Sequence, residues 1–164
     1  MTVTRWGARF MGRRFPVSIG RGGMTDDKRE GDMATPRGVW RIMGGGYRAD
    51  RIARPEFVGS IALQPIGPHD IWSDDPQDPA YNHGLRSSNH PFSHEKLRMT
   101  PRLYDTFLIS DWNWPDAQPG KGSAIFIHQW RKPRHPTAGC LAFAPSDLGW
   151  ILSRWTSQTR IFVR

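Results

Sequence analysis

A mainly β chain with one or two helices is what the sequence predicts, and three observations predict it. Seventeen Gly and 14 Pro punctuate 164 residues and leave little room for long helices. The apolar runs between them are short and rich in Val, Ile, Phe and Trp, the residues that suit a half-buried strand. One helical period stands out, close to the C-terminus. The length suits a single domain, residues 1–164, and eight Trp with eight Phe supply its core.

Taken in order, RFPVSIG (14–20) and TPRGVWRIMGG (35–45) read as two strands of a hairpin, joined by the Gly-, Asp- and Lys-containing loop 21–34. EFVGSIALQPI (56–66) is a third extended segment, ended by Pro and Gly. Residues 67–102 form a polar excursion too long for a connector, and Trp72, Tyr81, Phe92 and four histidines argue that it is ordered. LYDTFLISDW (103–112) and GSAIFIHQW (122–130) read as central strands. Pro145, Ser146 and Asp147 open a helix whose apolar face is Leu148, Ile151, Leu152 and Trp155, and TRIFVR (159–164) closes the chain as a strand.

The net charge is +8, and it is uneven. Residues 1–54 carry 12 Lys and Arg against 5 Asp and Glu, which places +7 of the net +8 in the first third. Such a field attracts polyanions, whether nucleic acid, anionic lipid or a carboxylate-rich cell-wall polymer. No helix-turn-helix, zinc-finger or RNP-like pattern accompanies it, so nucleic acid is not expected as a partner. No apolar run is long enough for a signal segment or a membrane span, and the expectation is a soluble monomer.

Cys140 is the only cysteine, so it is either a small buried apolar residue or a reactive thiol. A thiol near its ordinary pKa is only a few per cent ionised at neutral pH, and a nucleophilic role requires a base. His128 stands at the end of a strand twelve residues earlier, and the polar loop between them is able to fold the two together. His135, between Arg134 and Pro136, is the rival and is placed at the rim. Gly139 lacks a Cβ, which opens the backbone so that N–H groups around Gly139 and Cys140 face an oxyanion.

GSAIFIH followed by PTAGCLAF resembles the catalytic block of the YkuD-type L,D-transpeptidases: a histidine at a strand end, a loop, then Ser/Thr-x-Gly-Cys. GDMATPRGVW is similar to that family's Gly-x-x-Thr-Pro-x-Gly-x-Phe/Trp segment through Thr35, Pro36, Gly38 and Trp40, and DDPQDPAYN adds a middle block. The resemblance implies a YkuD-like curved β-sandwich of the compact kind. It implies Cys140 as nucleophile, His128 as general base and acid oriented by the Gln129 carbonyl, and Gly139 in the oxyanion loop. Thr137 and Ala138 are implied as substrate neighbours. Two positions depart from the pattern: Ala138 stands where most members have His, and Ala142 where they have Arg or Asn. The loop between His128 and Cys140 is also shorter than usual.

The activity implied is cross-linking of peptidoglycan stem peptides, donor and acceptor, through a Cys thioester in the periplasm or cell envelope, with carbapenems as acylating inhibitors and no cofactor. Diaminopimelate–diaminopimelate and L-Ala–diaminopimelate links both stay open. With Ala138 and Ala142 lacking polar groups, substrate positioning falls to the excursion: Trp72, Asp74, Asp75, Tyr81, Asn82, Arg86, His94 and Glu95. The alternative for Asp74 to Asn82 is a set of Asx turns around Pro76 and Pro79. His69, His83, His90 and His94 lack paired metal-ligand spacing, and no metal is expected. A cysteine hydrolase or L,D-carboxypeptidase uses the same pair without an amine acceptor. A noncatalytic peptidoglycan- or nucleic-acid-binding module uses only the basic charge.

Overall fold

Pro16 divides the stretch RFPVSIG, because proline has no N–H to give to a ladder, and the two halves pair with different partners. The computed structural model describes residues 1–55, 61–98 and 101–164. Ahead of the proline, β1 (Thr2–Thr4), β2 (Gly7–Phe10) and β3 (Arg13–Phe15) form an antiparallel meander. The final strand, β15 (Ile161–Val163), runs parallel to β1 and carries β6 (Gly38–Trp40) on its other side. Beyond the proline, Ser18 bridges Ala142 and Gly20 bridges Thr137, so this stretch lies along the cysteine segment.

The hairpin expected between 14–20 and 35–45 is therefore corrected. β3 and β6 are opposite edges of one five-stranded sheet, because β2 takes the hydrogen-bonding side of β3 and β15 takes that of β6. Within the crossing, only β4 (Met24–Thr25) and β5 (Thr35–Pro36) pair, in parallel.

The second sheet has the order β14-β13-β12-β7-β8, built from β7 (Ile42–Tyr47), β8 (Leu63–Pro65), β12 (Thr106–Ser110), β13 (Phe126–Gln129) and β14 (Leu141–Phe143). The expected segment 56–66 supplies β8, while its residues 56–60 lie outside the described ones. Gly46 in β7 leaves room for the ring of Phe107: an added Cβ would stand 2.5 Å from Cε1. Strand β14 was not expected as a strand. It is three residues long and directly follows the cysteine, too short for a visible alternation.

Alternation along β12, β13 and β14 divides the apolar residues between two clusters. Leu108, Ile127, Leu141 and Phe143 face the first sheet, where Val3, Phe10, Phe15, Trp40 and Ile161 meet them. The helix α1 (Pro145–Leu152) closes that core with Leu148, Ile151 and Leu152; Pro145 suits its first turn, and Trp155 is buried just beyond its end. Phe107, Phe126 and Cys140 face the other way, toward Trp72, Leu97 and Tyr104.

That second layer is the excursion 67–102. It folds as a small antiparallel sheet with β9 (Asp70–Ser73) between β10 (Gly84–Arg86) and β11 (His94–Lys96), followed by a short 3-10 turn, Arg102–Tyr104. Met99 and Thr100 lie outside the described residues. Among the described residues no helix is long and apolar enough to cross a membrane.

Candidate active site

Parallel pairing of β13 with β14 sets Ile127 beside Leu141 and His128 beside Ala142. Side chains two apart share a face, so Phe126 and His128 point the same way as Cys140 and Ala142. Cys140 and His128 thus line one cavity of about 360 Å³ between the second sheet and the excursion.

The thiol is held by backbone. Cys140 Sγ donates to the Ala124 carbonyl at 3.1 Å and accepts the Phe126 N–H at 3.4 Å. Ala124 has a φ of 50°, a left-handed conformation costly for a residue with a Cβ. Asn82 supports that conformation, since its Oδ1 accepts the Ala124 N–H at 2.9 Å. Burial pushes the thiol pKa up to about 12, and the nearby charge of Glu95 adds to the rise.

Gly139 has a φ of 142°, where L side chains are strained. A Cβ there would meet the Ala34 carbonyl at 3.0 Å and Ile125 Cδ1 at 3.1 Å. The missing Cβ therefore lets the Ala34 backbone and Ile125 pack closely on Gly139. Thr35 explains why that approach is fixed: its hydroxyl accepts the Gly20 N–H and donates to the Gly139 carbonyl, both at 2.8 Å. Thr137 holds the other side, donating to the Cys140 carbonyl at 2.7 Å and accepting the Gly139 N–H at 3.2 Å.

His128 Nδ1 lies 2.8 Å from the Gln129 carbonyl, which can only accept. Nδ1 accordingly carries the proton and Nε2 keeps its lone pair. Burial lowers the imidazole pKa to about 4, with the Gln129 carbonyl opposing. The resting site is a neutral thiol and a neutral imidazole.

Behind the histidine stands Tyr104, edge-on to its ring with centroids 5.2 Å apart. The phenol donates to Glu95 Oε1 at 2.6 Å, and burial raises the pKa of both groups. Glu95 and Asp74 line the cavity from the excursion, and Asp74 Oδ1 is buried with no hydrogen-bond partner among the described residues. Arg21, Lys28 and Arg131 also line it, giving one cavity both signs of charge.

The sequence-predicted residues divide into two groups. Asp74, Glu95, Thr137 and Ala138 join Cys140 and His128 at the cavity, as does His135 at its edge. Trp72, Tyr81 and Asn82 are buried beside it without lining it. Trp72 packs on Phe126 with centroids 5.0 Å apart and donates through Nε1 to Asn82 Oδ1 at 2.9 Å, and Tyr81 donates to the cavity-lining Glu30. Arg86 is exposed on β10, and His94 Nδ1 contacts the Phe92 carbonyl at 2.7 Å. Asp75 and Asp78 accept the N–H of Gln77 and Ala80, each at 2.9 Å, which are the Asx turns of the alternative reading. His90 pairs with Asp78, and among the described residues no group of three or more His, Cys, Asp or Glu is placed to hold a metal.

Sequence reading did not single out Tyr104, Lys28 or Glu30. Lys28 has a faint signal in the stretch DDKREGD: Asp32, four residues on, pairs with its ammonium. Tyr104 has none, since it precedes a strand and resembles any core aromatic.

Cys140, directly ahead of β14, and His128 in β13 thus line one cavity of the β fold, a thiol and an imidazole in one site. The family model of the YkuD L,D-transpeptidase catalytic domain matches residues 5–163, and the chain belongs to that family. No curated protein and no solved structure matched the chain.

Proposed function

We propose that this YkuD-family domain cross-links peptidoglycan stem peptides through a thioester on Cys140. The observation that carries the reading is the shared face of Cys140 and His128 with Nε2 left free by the Nδ1 bond to Gln129. Because thiol and imidazole rest neutral, the proton moves as the bond forms. Cys140 Sγ attacks the carbonyl of an L-residue joined to a D-residue while its proton passes to His128 Nε2. Backbone N–H groups of the Gly139–Cys140 segment hold the oxyanion, with the long Gly139 bond to Thr137 available for exchange. His128 then protonates the departing amine, and a thioester remains.

An acceptor amine attacks the thioester, gives its proton to His128 and forms the new amide as the thiol is restored. Water in that place gives hydrolysis. The zwitterionic stem suits the mixed charge of the cavity: Asp74 and Glu95 on one side for ammonium or N–H, Arg21, Lys28 and Arg131 for carboxylate. Substrate positioning thus comes from the excursion and the basic loops, where Ala138 and Ala142 offer no polar group. Both cross-links remain in play, diaminopimelate to diaminopimelate and L-Ala to diaminopimelate, and the place of action is the cell envelope.

The test is incubation of the protein and of Cys140→Ala with purified disaccharide-tetrapeptide, followed by mass. A Cys140-dependent dimer that has lost D-Ala, or a longer stem fragment, supports transpeptidation and identifies the bond. Shortened monomers alone make it a hydrolase. No Cys140-dependent change overturns the reading.

A further inference from the structure

Away from the cavity, four arginines of the first third, Arg5, Arg9, Arg14 and Arg37, join Arg134 and Arg164 around an exposed tryptophan. Trp6, in the turn between β1 and β2, is 75% exposed, with the Arg5 guanidinium 4.4 Å from its ring centroid. Two grooves flank it. One, of about 350 Å³, is lined by Arg9, Arg14 and Arg134; the other, of about 540 Å³, by Arg5, Arg37 and Arg164. Neither lining includes an Asp or Glu.

Folding alone does not favour this arrangement. Arg9 and Arg14 are directly opposite in the β2–β3 ladder, both exposed, and like charges in that relation destabilise a sheet. Among the described residues only Arg37 of the six has an ion-pair partner, the exposed Asp26. A second copy of the chain would bring the same positive charge against it. An anion with several charges relieves the repulsion.

Both grooves are joined to the cavity wall through the chain. Arg134 leads directly into His135, Pro136 and Thr137, which line the cavity, and Arg21 of the cavity wall leads into Gly22 and Gly23 of the second groove. A chain molecule seated along the grooves would lie against the same segments that wall the cavity. An indole face offers a broad apolar surface for a sugar ring, and arginines pair with carboxylates.

We propose that the Trp6 surface is a binding site, separate from the cavity, for an extended sugar polymer bearing carboxylated peptides. The proposal rests on the reading of the substrate above. It makes the basic first third a device for holding the insoluble polymer while one stem enters the cavity.

The experiment uses two readouts. The Cys140→Ala protein is pelleted with purified insoluble peptidoglycan sacculi across a salt series, with and without Trp6→Ala and with the double change Arg9→Glu/Arg14→Glu. Turnover of soluble disaccharide-tetrapeptide is measured for the same surface variants with Cys140 intact. The expected result is salt-sensitive pelleting that falls roughly tenfold or more in the charge-reversed protein and severalfold in Trp6→Ala, with soluble turnover within twofold of the parent. Unchanged pelleting of the variants overturns the proposal, as does tighter retention on anionic lipid vesicles or duplex DNA than on sacculi. Loss of soluble turnover in the parent itself would sink the transpeptidase reading, while the pelleting comparison still decides the surface.

Discussion

Asn82 and Cys140 are linked through one residue: Asn82 Oδ1 accepts the Ala124 N–H at 2.9 Å, and the Ala124 carbonyl accepts the thiol at 3.1 Å. The same Asn82 oxygen takes the Trp72 indole N–H, and its amide donates to the Asn113 carbonyl at 2.6 Å. The excursion is thereby tied to the backbone that holds the thiol. Replacing Asn82 by Leu leaves two buried donors without an acceptor, and unfolding in urea should show a loss of at least about 2 kcal/mol. An unfolding curve unchanged from the parent would mean that the Oδ1 contacts matter little.

The histidine assignment separates two candidates. His128 has its Nδ1 bond to Gln129 and a buried ring, whereas His135 sits at the cavity edge with no side-chain partner in the described structure. His128→Ala and Cys140→Ser should each abolish turnover of disaccharide-tetrapeptide, and His135→Ala should keep most of it. Carbapenem adducts, read by intact mass, should follow the same order. A silent His128 with an essential His135 would transfer the base to the loop.

Much of this site was legible because its chemistry is local in sequence. Thr-Ala-Gly-Cys with a histidine near a strand end twelve residues earlier brings the two groups to one face of the sheet, and the helix after them is marked by Pro145 in its first turn and by its apolar period. The supporting contacts were not legible because they are long-range. Thr35 reaches Gly139 across 104 positions and Asn82 reaches Ala124 across 42, and no periodicity encodes such pairings. Trp72 reads equally as a substrate wall or as core until Phe126 is seen beneath it. The hairpin expected from 14–20 and 35–45 fails for a nearer reason: Pro16 sits within a run of strand-forming residues yet ends β3 at Phe15.

Glu95 adds to the burial that holds the Cys140 thiol neutral. Its charge raises the Cys140 pKa, in the same direction as burial, so Glu95→Gln should make the thiolate more accessible. Alkylation by iodoacetamide at pH 8 is expected to quicken severalfold. Because Gln can still accept from Tyr104, the melting temperature should change little. A slower reaction would show that Glu95 aids the thiolate instead.

The buried neutral histidine makes stability depend on pH in a defined window. An unfolded imidazole takes up its proton near 6.5, while His128 in the folded chain does so at about 4. Between those values the unfolded state binds more protons, so stability falls as pH drops from 6.5 to 4 and is constant above 6.5 as far as this residue is concerned. The gap corresponds to about 3 kcal/mol. His128→Gln has no such titration, so its stability curve should lie closer to that of the parent at pH 4 than at pH 7. Cys140 acts in the opposite direction at the alkaline end: its folded pKa of about 12 means that the unfolded chain releases the proton first, and stability falls as pH rises beyond about 9. Cys140→Ala should remove that alkaline loss. Urea unfolding at pH 4, 5, 6, 7, 9 and 10 measures both limbs, and parallel curves for parent and His128→Gln would mean that the imidazole is not held neutral by burial.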